Sequence, residues 1–426
     1  MVKRRRYNAR KWGTDLSGEA LSMAGAGGKR VSGSGRPIRI LYVCNRYLPE
    51  LGGLETHIRE VAQRLLQEED LEITVLATDR TRALPRDDVV NGTRVLRVPS
   101  WPRRRDYYFA PQVLKVVGQR DRWDLVHCQG IHSPVPVMAM LAARWVGIPY
   151  LVTFHTGGHS QALRNRLRPA QWRTLGPLLR DAVALIGVSQ FEARMLSAHA
   201  RLASDCVRVI RNGGTLPPAV PGTAPVPGRI VSTGRLERYK GHHRVIEALP
   251  HIAAAVPDAH AVILGSGPYE TQLVQLARHL RVADRVTIRS IDPDSRLAMA
   301  TALAEASVVA ALSDYEAHPV GIMEALSVGR PVVGYRTSGI AELVSEGWVY
   351  GIDPRLPISD VGGQIVAAMS SPPLIDPSAL PTWDGCAKEL GDLYRSLVGS
   401  GPPVPGSYKD SSRETQRESD AAISSR

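Results

Sequence analysis

Short β-branched runs alternate with amphipathic helical stretches along this chain, and the alternation runs its course twice. "IRILYVC" (38–44) is followed by "LETHIREVAQRLLQ", where Ile58, Val61, Ala62 and Leu65 recur at helical spacing, and then by "LEITVLA" (71–77). The pattern continues through "DLVHC", "PYLVTF", "AVALIGV" and "CVRVI", and stops at residues 213–228, "GGTLPPAVPGTAPVPG", which hold five prolines and no charge. It restarts at "RIVSTG" (229–234) and runs through "AHAVILG", "RVTIRS", "ASVVAAL" and "RPVVGY". Strand–helix–strand alternation predicts parallel sheets with helices on both faces, because each crossover helix must lie against the sheet it connects. Uncharged, proline-rich chain predicts an extended linker. The reading is an α/β chain of two doubly wound domains, 38–212 and 229–382, joined by the linker 213–228, with a ligand cleft between the carboxyl ends of two sheets.

"WDGCAKELGDLYRSLV" has apolar residues at helical spacing and predicts a closing helix over 383–399 that packs back on the first domain. Residues 1–37 and 400–426 are polar and rich in Gly, Ser, Arg or Pro, and are predicted to be disordered. At 426 residues, 43% of them apolar, the chain is too long for one ordinary core. Cys44, Cys128, Cys206 and Cys386 lie far apart with no CxxC spacing, which favours a reducing compartment. No apolar run approaches the roughly 18–20 residues of a membrane span, and no apolar stretch follows the basic start, so a cytoplasmic protein is expected.

The net charge of +12 is unevenly placed: residues 1–212 hold 34 Lys and Arg against 18 Asp and Glu, whereas residues 213–426 hold 19 against 23. A basic first half suits an anionic membrane or phosphorylated substrates, or is simply a solvated arginine-rich face. Nucleic acid is not expected, since no aromatic-basic platform or zinc spacing accompanies the charge. Two segments concentrate it, "SWPRRRDYYFAP" and "SQALRNRLRPAQWRTLGPLLR", and both have the mixed basic and apolar character of interfacial segments. They predict a peripheral position on the inner face of a membrane.

Four loops at strand ends carry the chemistry. In "NRYLPELGGLETH", Gly52 and Gly53 precede a helix, where a backbone can approach a phosphate and the helix N-terminus offers free N–H groups; a plain tight turn is the alternative. "VTFHTGGHS" puts His155 at a strand's carboxyl end, a site residue only if its neighbours form a site. In "STGRLERYKGHH", Arg235 and Lys240 straddle a turn between strand and helix, and two cations there can hold a diphosphate and stabilise it as a leaving group. The fourth, "SDYEAHPVGIMEAL" (313–326), holds Glu316 before a helix and Glu324 about one turn inside it. Those carboxylates would face different parts of one elongated ligand, and a vicinal diol such as a ribose offers two donors to one carboxylate.

In order and placement the four loops resemble retaining glycosyltransferases of family 4, over about residues 38–398, most specifically in "GRLERYKG" and "EAHPVGIME". The resemblance implies the GT-B architecture of two Rossmann-like domains with an interdomain cleft, and transfer of a sugar from a nucleotide diphosphate sugar to a glycan, lipid-linked or small-molecule acceptor with retention of configuration. It implies that Arg235 and Lys240 grip the diphosphate, that Glu324 accepts from the ribose, and that Glu316 lies near the donor sugar. Gly52 and Gly53 would line the phosphate site, His155 would sit at the sugar's reacting face, and Val320 and Gly321 would complete the donor site. His155, Arg235, Lys240 and Glu316 form the expected catalytic set. No cofactor or metal is expected: the lone Asp-x-Asp, Asp292 and Asp294, reads as a turn in which Asp294 caps a helix. A nucleotide-sugar epimerase or a non-catalytic scaffold of the same fold is the alternative. The chain departs from the family pattern at His318, which replaces an aromatic, and at Gly214, where the family often has valine; Arg336 in "RTSGIAEL", which keeps Gly339 and Glu342, adds a cation near the presumed phosphates, as extra phosphate binding or as a surface arginine.

Overall fold

The computed structural model describes residues 36–399 apart from 51, 104–107, 157–161, 204–205, 293 and 371–374. Most of the disorder predicted for the two chain ends therefore falls outside the described residues. Arg36, inside the segment predicted to be disordered, is held by Asp124 at 2.9 Å.

Among the described residues the first sheet takes the strands β1 (Ile38–Val43), β2 (Leu71–Asp79), β3 (Asp87–Val90), β4 (Thr93–Pro99), β5 (Leu125–Gln129), β6 (Tyr150–Thr153), β7 (Ala184–Gly187) and β8 (Val207–Val209) in the order β3-β4-β2-β1-β5-β6-β7-β8. The second takes β9 (Arg229–Thr233), β10 (His260–Leu264), β11 (Val286–Arg289), β12 (Val308–Ala311), β13 (Val332–Tyr335) and β14 (Tyr350–Ile352) in the order β11-β10-β9-β12-β13-β14. All pairings are parallel except β3 with β4, whose turn uses Asn91 and Gly92 at φ 51° and 79°. That Asn-Gly pair is the usual two-residue hairpin signal.

The connecting helices are α1 (Gly53–Leu65), α2 (Gln112–Val117), α3 (Pro134–Val146), α4 (Ala162–Arg180) and α5 (Gln190–Ala200) on the first sheet, then α6 (His242–Ala255), α7 (Glu270–His279), α8 (Arg296–Ala304), α9 (Val320–Ser327), α10 (Ser338–Ser345), α11 (Ile358–Ser370) and α12 (Trp383–Gly399). The central strands of each sheet are buried on both faces, with successive side chains entering cores on opposite sides. From β1, Leu41 and Val43 enter one core, while Ile38, Ile40 and Tyr42 enter the other with Ile58, Val61 and Leu65 of α1. Trp383, Leu390 and Tyr394 of α12 join this second core, so the last helix covers the first sheet. A buried hydroxyl contact of 2.5 Å links Tyr394 to Tyr42 of β1.

Residues 213–228 are tied down along their course: Val226 donates to the Glu305 carbonyl at 2.9 Å, and the chain passes so close to α9 that a Cβ on Gly214 would run into the Met323 backbone. A valine at Gly214 has no room, which accounts for that departure from the family pattern. The arginine-rich segment of α4 behaves differently from the interfacial reading. In the described half of the helix, Trp172, Leu175, Leu178 and Leu179 are buried in the first core, which leaves none of these four for a membrane.

Candidate active site

Parallel strands point their carboxyl ends the same way, and the two sheets present those ends to a shared cleft of about 1290 Å³. The loops after β1, β5, β6, β9, β10 and β12 line it, bringing together all nine residues singled out from the sequence: Gly52, Gly53, His155, Arg235, Lys240, Glu316, Val320, Gly321 and Glu324.

Lys240 and Glu316 pair with each other. The Lys240 Nζ lies 2.6 Å from Glu316 Oε1, and both side chains are largely shielded. Burial is the largest single influence and opposes the Lys240 ammonium, but the Glu316 charge and hydrogen bond together with Tyr239 raise its pKa above the ordinary lysine value. Ser313 Oγ donates to the same Oε1 at 3.0 Å, and the Glu316 N–H donates to Ser338 Oγ at 2.8 Å, so the loop holds its carboxylate in a fixed direction. Arg235 is freer, with a weak contact to Glu237 at 3.3 Å and a side chain 34% exposed. It reaches across the cleft toward Gly52, whose α-carbon also faces Arg46.

Gly52 caps α1, and no side chain among the described residues caps that helix or α9, whose cap is Pro319. Both helix starts line the cleft, so their open N–H groups and positive dipole ends favour an anion there. Gly321 lets the first turn of α9 close on β9, where a Cβ would strike the Thr233 side chain.

Glu324 is buried, and its Oε1 accepts from Arg296 Nη2 at 2.7 Å. Burial raises its carboxyl pKa, and Arg296 opposes that rise. His155 sits at φ 47°, a strained backbone conformation for a non-glycine residue, with its Nε2 against Gln129 Oε1 at 2.8 Å and its ring edge-on to His57 at 4.5 Å. Burial, together with the neighbouring histidines, holds it well below the ordinary imidazole range, so it is neutral near pH 7. His318 is buried, neither ring nitrogen has a hydrogen-bond partner among the described residues, and burial lowers its pKa to about 3. Its carbonyl accepts from Asn212, which also meets His57 Nδ1 at 2.9 Å.

Three other groups take their places outside the donor contacts. Arg336 donates to the Gly351 carbonyl at 3.2 Å and does not line the cleft. Glu342 accepts the N–H groups of Gln190 and Phe191 and an Arg211 contact of 2.7 Å, bracing α10 against α5. The cap position of α8 is Ser295, not Asp294, and Asp292 supplies the acceptor of the turn, for the Asp294 N–H at 2.9 Å. Sequence reasoning missed Arg46, Arg296, Ser313 and the turn Gly265–Ser266–Gly267, all lining the cleft. The turn was legible as "GSG" directly after an apolar strand.

Residues 51–214 match the model of Glycosyltransferase Family 4, and residues 221–352 that of Glycosyl transferases group 1. The chain belongs to glycosyltransferase family 4. This glycosyltransferase is 25% identical over 392 residues to the GDP-mannose:cellobiosyl-diphosphopolyprenol alpha-mannosyltransferase of Komagataeibacter xylinus, covering 86% of this chain and 95% of that one. It is 27% identical over 377 residues to the glycogen synthase of Mycobacterium tuberculosis, covering 80% and 87%. Its fold matches that of Anabaena Alr3699/HepE, solved in complex with UDP and glucose, with a TM-score of 0.67 at 20% identity over 84% of this chain and all of that one. Two Rossmann-like domains across a cleft are the GT-B architecture, and the enzyme transfers a sugar from a nucleotide sugar.

Proposed function

We propose that this glycosyltransferase works with retention of configuration, without a metal, on an acceptor presented at a membrane. The carrying observation is the Lys240–Glu316 pair with Arg235 beside it, facing Gly52 and the start of α1. A diphosphate between these groups meets two cations and two uncapped helix N-termini, which can stabilise a leaving group without a divalent ion. Glu324 receives the ribose hydroxyls, Glu316 and the backbone at Val320 and Gly321 receive the sugar, and neutral His155 faces the reacting carbon as a hydrogen-bond partner. Both glutamates are engaged by cations, which disfavours either as a nucleophile. The acceptor hydroxyl oxygen bonds to the anomeric carbon on the face the diphosphate leaves, the carbon–oxygen bond to the diphosphate breaks, and the acceptor proton passes to a diphosphate oxygen. The protein contributes orientation and charge stabilisation.

The acceptor reading is supported by the relative named for a diphosphopolyprenol substrate and by the lip of the cleft. There Trp101 and Phe109 pair through their backbones and are 42% and 51% exposed, Arg82 stacks over Trp101 at 5.0 Å, and Tyr108 turns inward to line the cleft. Aromatic and basic side chains at one edge suit an anionic lipid surface. Among the described residues no helix is long and apolar enough to cross a membrane. The test is turnover of UDP-, GDP- and ADP-sugars with a glycosyl diphosphopolyprenol acceptor, the product anomer being read by NMR. Nucleoside diphosphate release that depends on acceptor, with an α product from an α donor, supports the reading. An inverted product refutes retention, and release without acceptor points to an epimerase or hydrolase.

A further inference from the structure

The first residue of α8, Arg296, stands in the wall between the nucleotide end of the cleft and a second cavity of about 380 Å³ lined by Glu60 and Arg64. Its guanidinium binds two carboxylates from different halves of the molecule: Nη2 meets Glu324 Oε1 at 2.7 Å, and Nε meets Glu60 Oε1 of α1 at 3.3 Å. Glu60 is in turn held by Arg59 at 3.0 Å and Arg64 at 2.9 Å. We propose that Arg296 is a positioning residue for the nucleotide: it fixes Glu324 so that its second oxygen meets the ribose, keeps that buried carboxylate ionised, and ties it to α1 across the cleft. The inference rests on the assignment of Glu324 to the ribose.

The chemistry follows from burial. A carboxylate as enclosed as Glu324 drifts toward its neutral form, and a neutral carboxyl loses its charge and turns one of its acceptor oxygens into a donor, which makes it a weaker acceptor for the hydroxyls of a diol. The charged groups acting on Glu324 are Arg296 from α8 and Glu60 and Arg59 from α1; the two arginines lower its pKa, Glu60 raises it, and burial exceeds them all. Ionised Glu324 is present above its pKa, so nucleotide affinity falls as pH falls through that value. Without Arg296 the fall begins at higher pH.

The test is calorimetry of the full chain with UDP, GDP and ADP from pH 5 to pH 9, following whichever binds. Arg296→Gln is expected to move the acid limb upward by about one pH unit, which is about tenfold in affinity on that limb, with recovery toward the parent value at high pH. Arg296→Lys restores most of the limb. Glu60→Gln removes the tie to α1 and one repelling charge, so the limb stays or moves downward. A loss in Arg296→Gln that is uniform across pH, or a limb that moves the same way in Glu60→Gln, overturns the inference. Glu324→Gln separates the two claims: unchanged nucleotide binding there refutes the ribose assignment itself, whereas weakened binding there with an unmoved Arg296→Gln refutes only the role of Arg296.

Discussion

Replacing Lys240 separates the two tasks its position gives it. The ammonium lies 2.6 Å from Glu316 in the cleft wall, with Ser313 as the other side-chain donor to that oxygen. Lys240→Met leaves Glu316 without its counter-charge in a shielded place, a loss of about 1–3 kcal/mol of folding stability. For a domain of this size that is roughly 2–4 °C in Tm per kcal/mol. The same change removes a cation from the leaving diphosphate, and a group that stabilises it by about 2.7 kcal/mol slows turnover roughly a hundredfold. Lys240→Met/Glu316→Gln then tells the effects apart, because two neutral partners of similar shape restore most of the stability and none of the charge. Arg235→Ala is the exposed counterpart: its contact to Glu237 is 3.3 Å and its side chain 34% exposed, so turnover falls while stability stays nearly level. Differential scanning fluorimetry beside initial rates with saturating acceptor reads both quantities. Recovery of the rate together with stability in the double variant, or full activity in Lys240→Met, would show that Lys240 only supports the loop.

Two further outcomes concern metal and membrane. Activity is expected to survive EDTA, since Arg235, Lys240 and two helix starts take the place of a cation at the diphosphate; loss in chelator with rescue by magnesium or manganese contradicts this. Sedimentation with liposomes at low salt should recover the protein on anionic vesicles and not on neutral ones, and Trp101→Ser with Phe109→Ser should reduce that recovery; equal recovery on both vesicle types, or on neither, ends the membrane reading.

The sheets and their crossovers were legible because parallel strands buried on both faces read as continuous apolar runs. The hairpin of β3 and β4 was legible in principle, since "VVNGTRV" carries an Asn-Gly turn between β-branched runs. The cleft residues could be picked out because strand-end loops supply ligands in this kind of fold. What those residues do to one another was not legible. Lys240 and Glu316 are 76 residues apart, and Arg296 meets Glu60 only because the fold brings α8 and α1, from different halves, together. Arg336 and Glu342 sit together in "RTSGIAEL", yet the turn into α10 directs both away from the cleft, which only the backbone path decides. The segment of α4 shows the same limit: basic and apolar residues in one stretch describe a membrane-facing helix and a core-packed helix equally well until the burial of Trp172 and Leu179 separates them.

The division of labour between the two carboxylates is the centre of this account, and calorimetry on Glu316→Gln and Glu324→Gln measures it. With the free nucleoside diphosphate, Glu324→Gln is expected to weaken binding about tenfold or more, a change of about 1.4 kcal/mol, while Glu316→Gln leaves it unchanged or tighter because Lys240 is released to the diphosphate. With the sugar attached, both variants should bind more weakly than the parent. Equal weakening of the free nucleotide in the two variants would contradict the assignment of one carboxylate to the ribose and the other to the sugar.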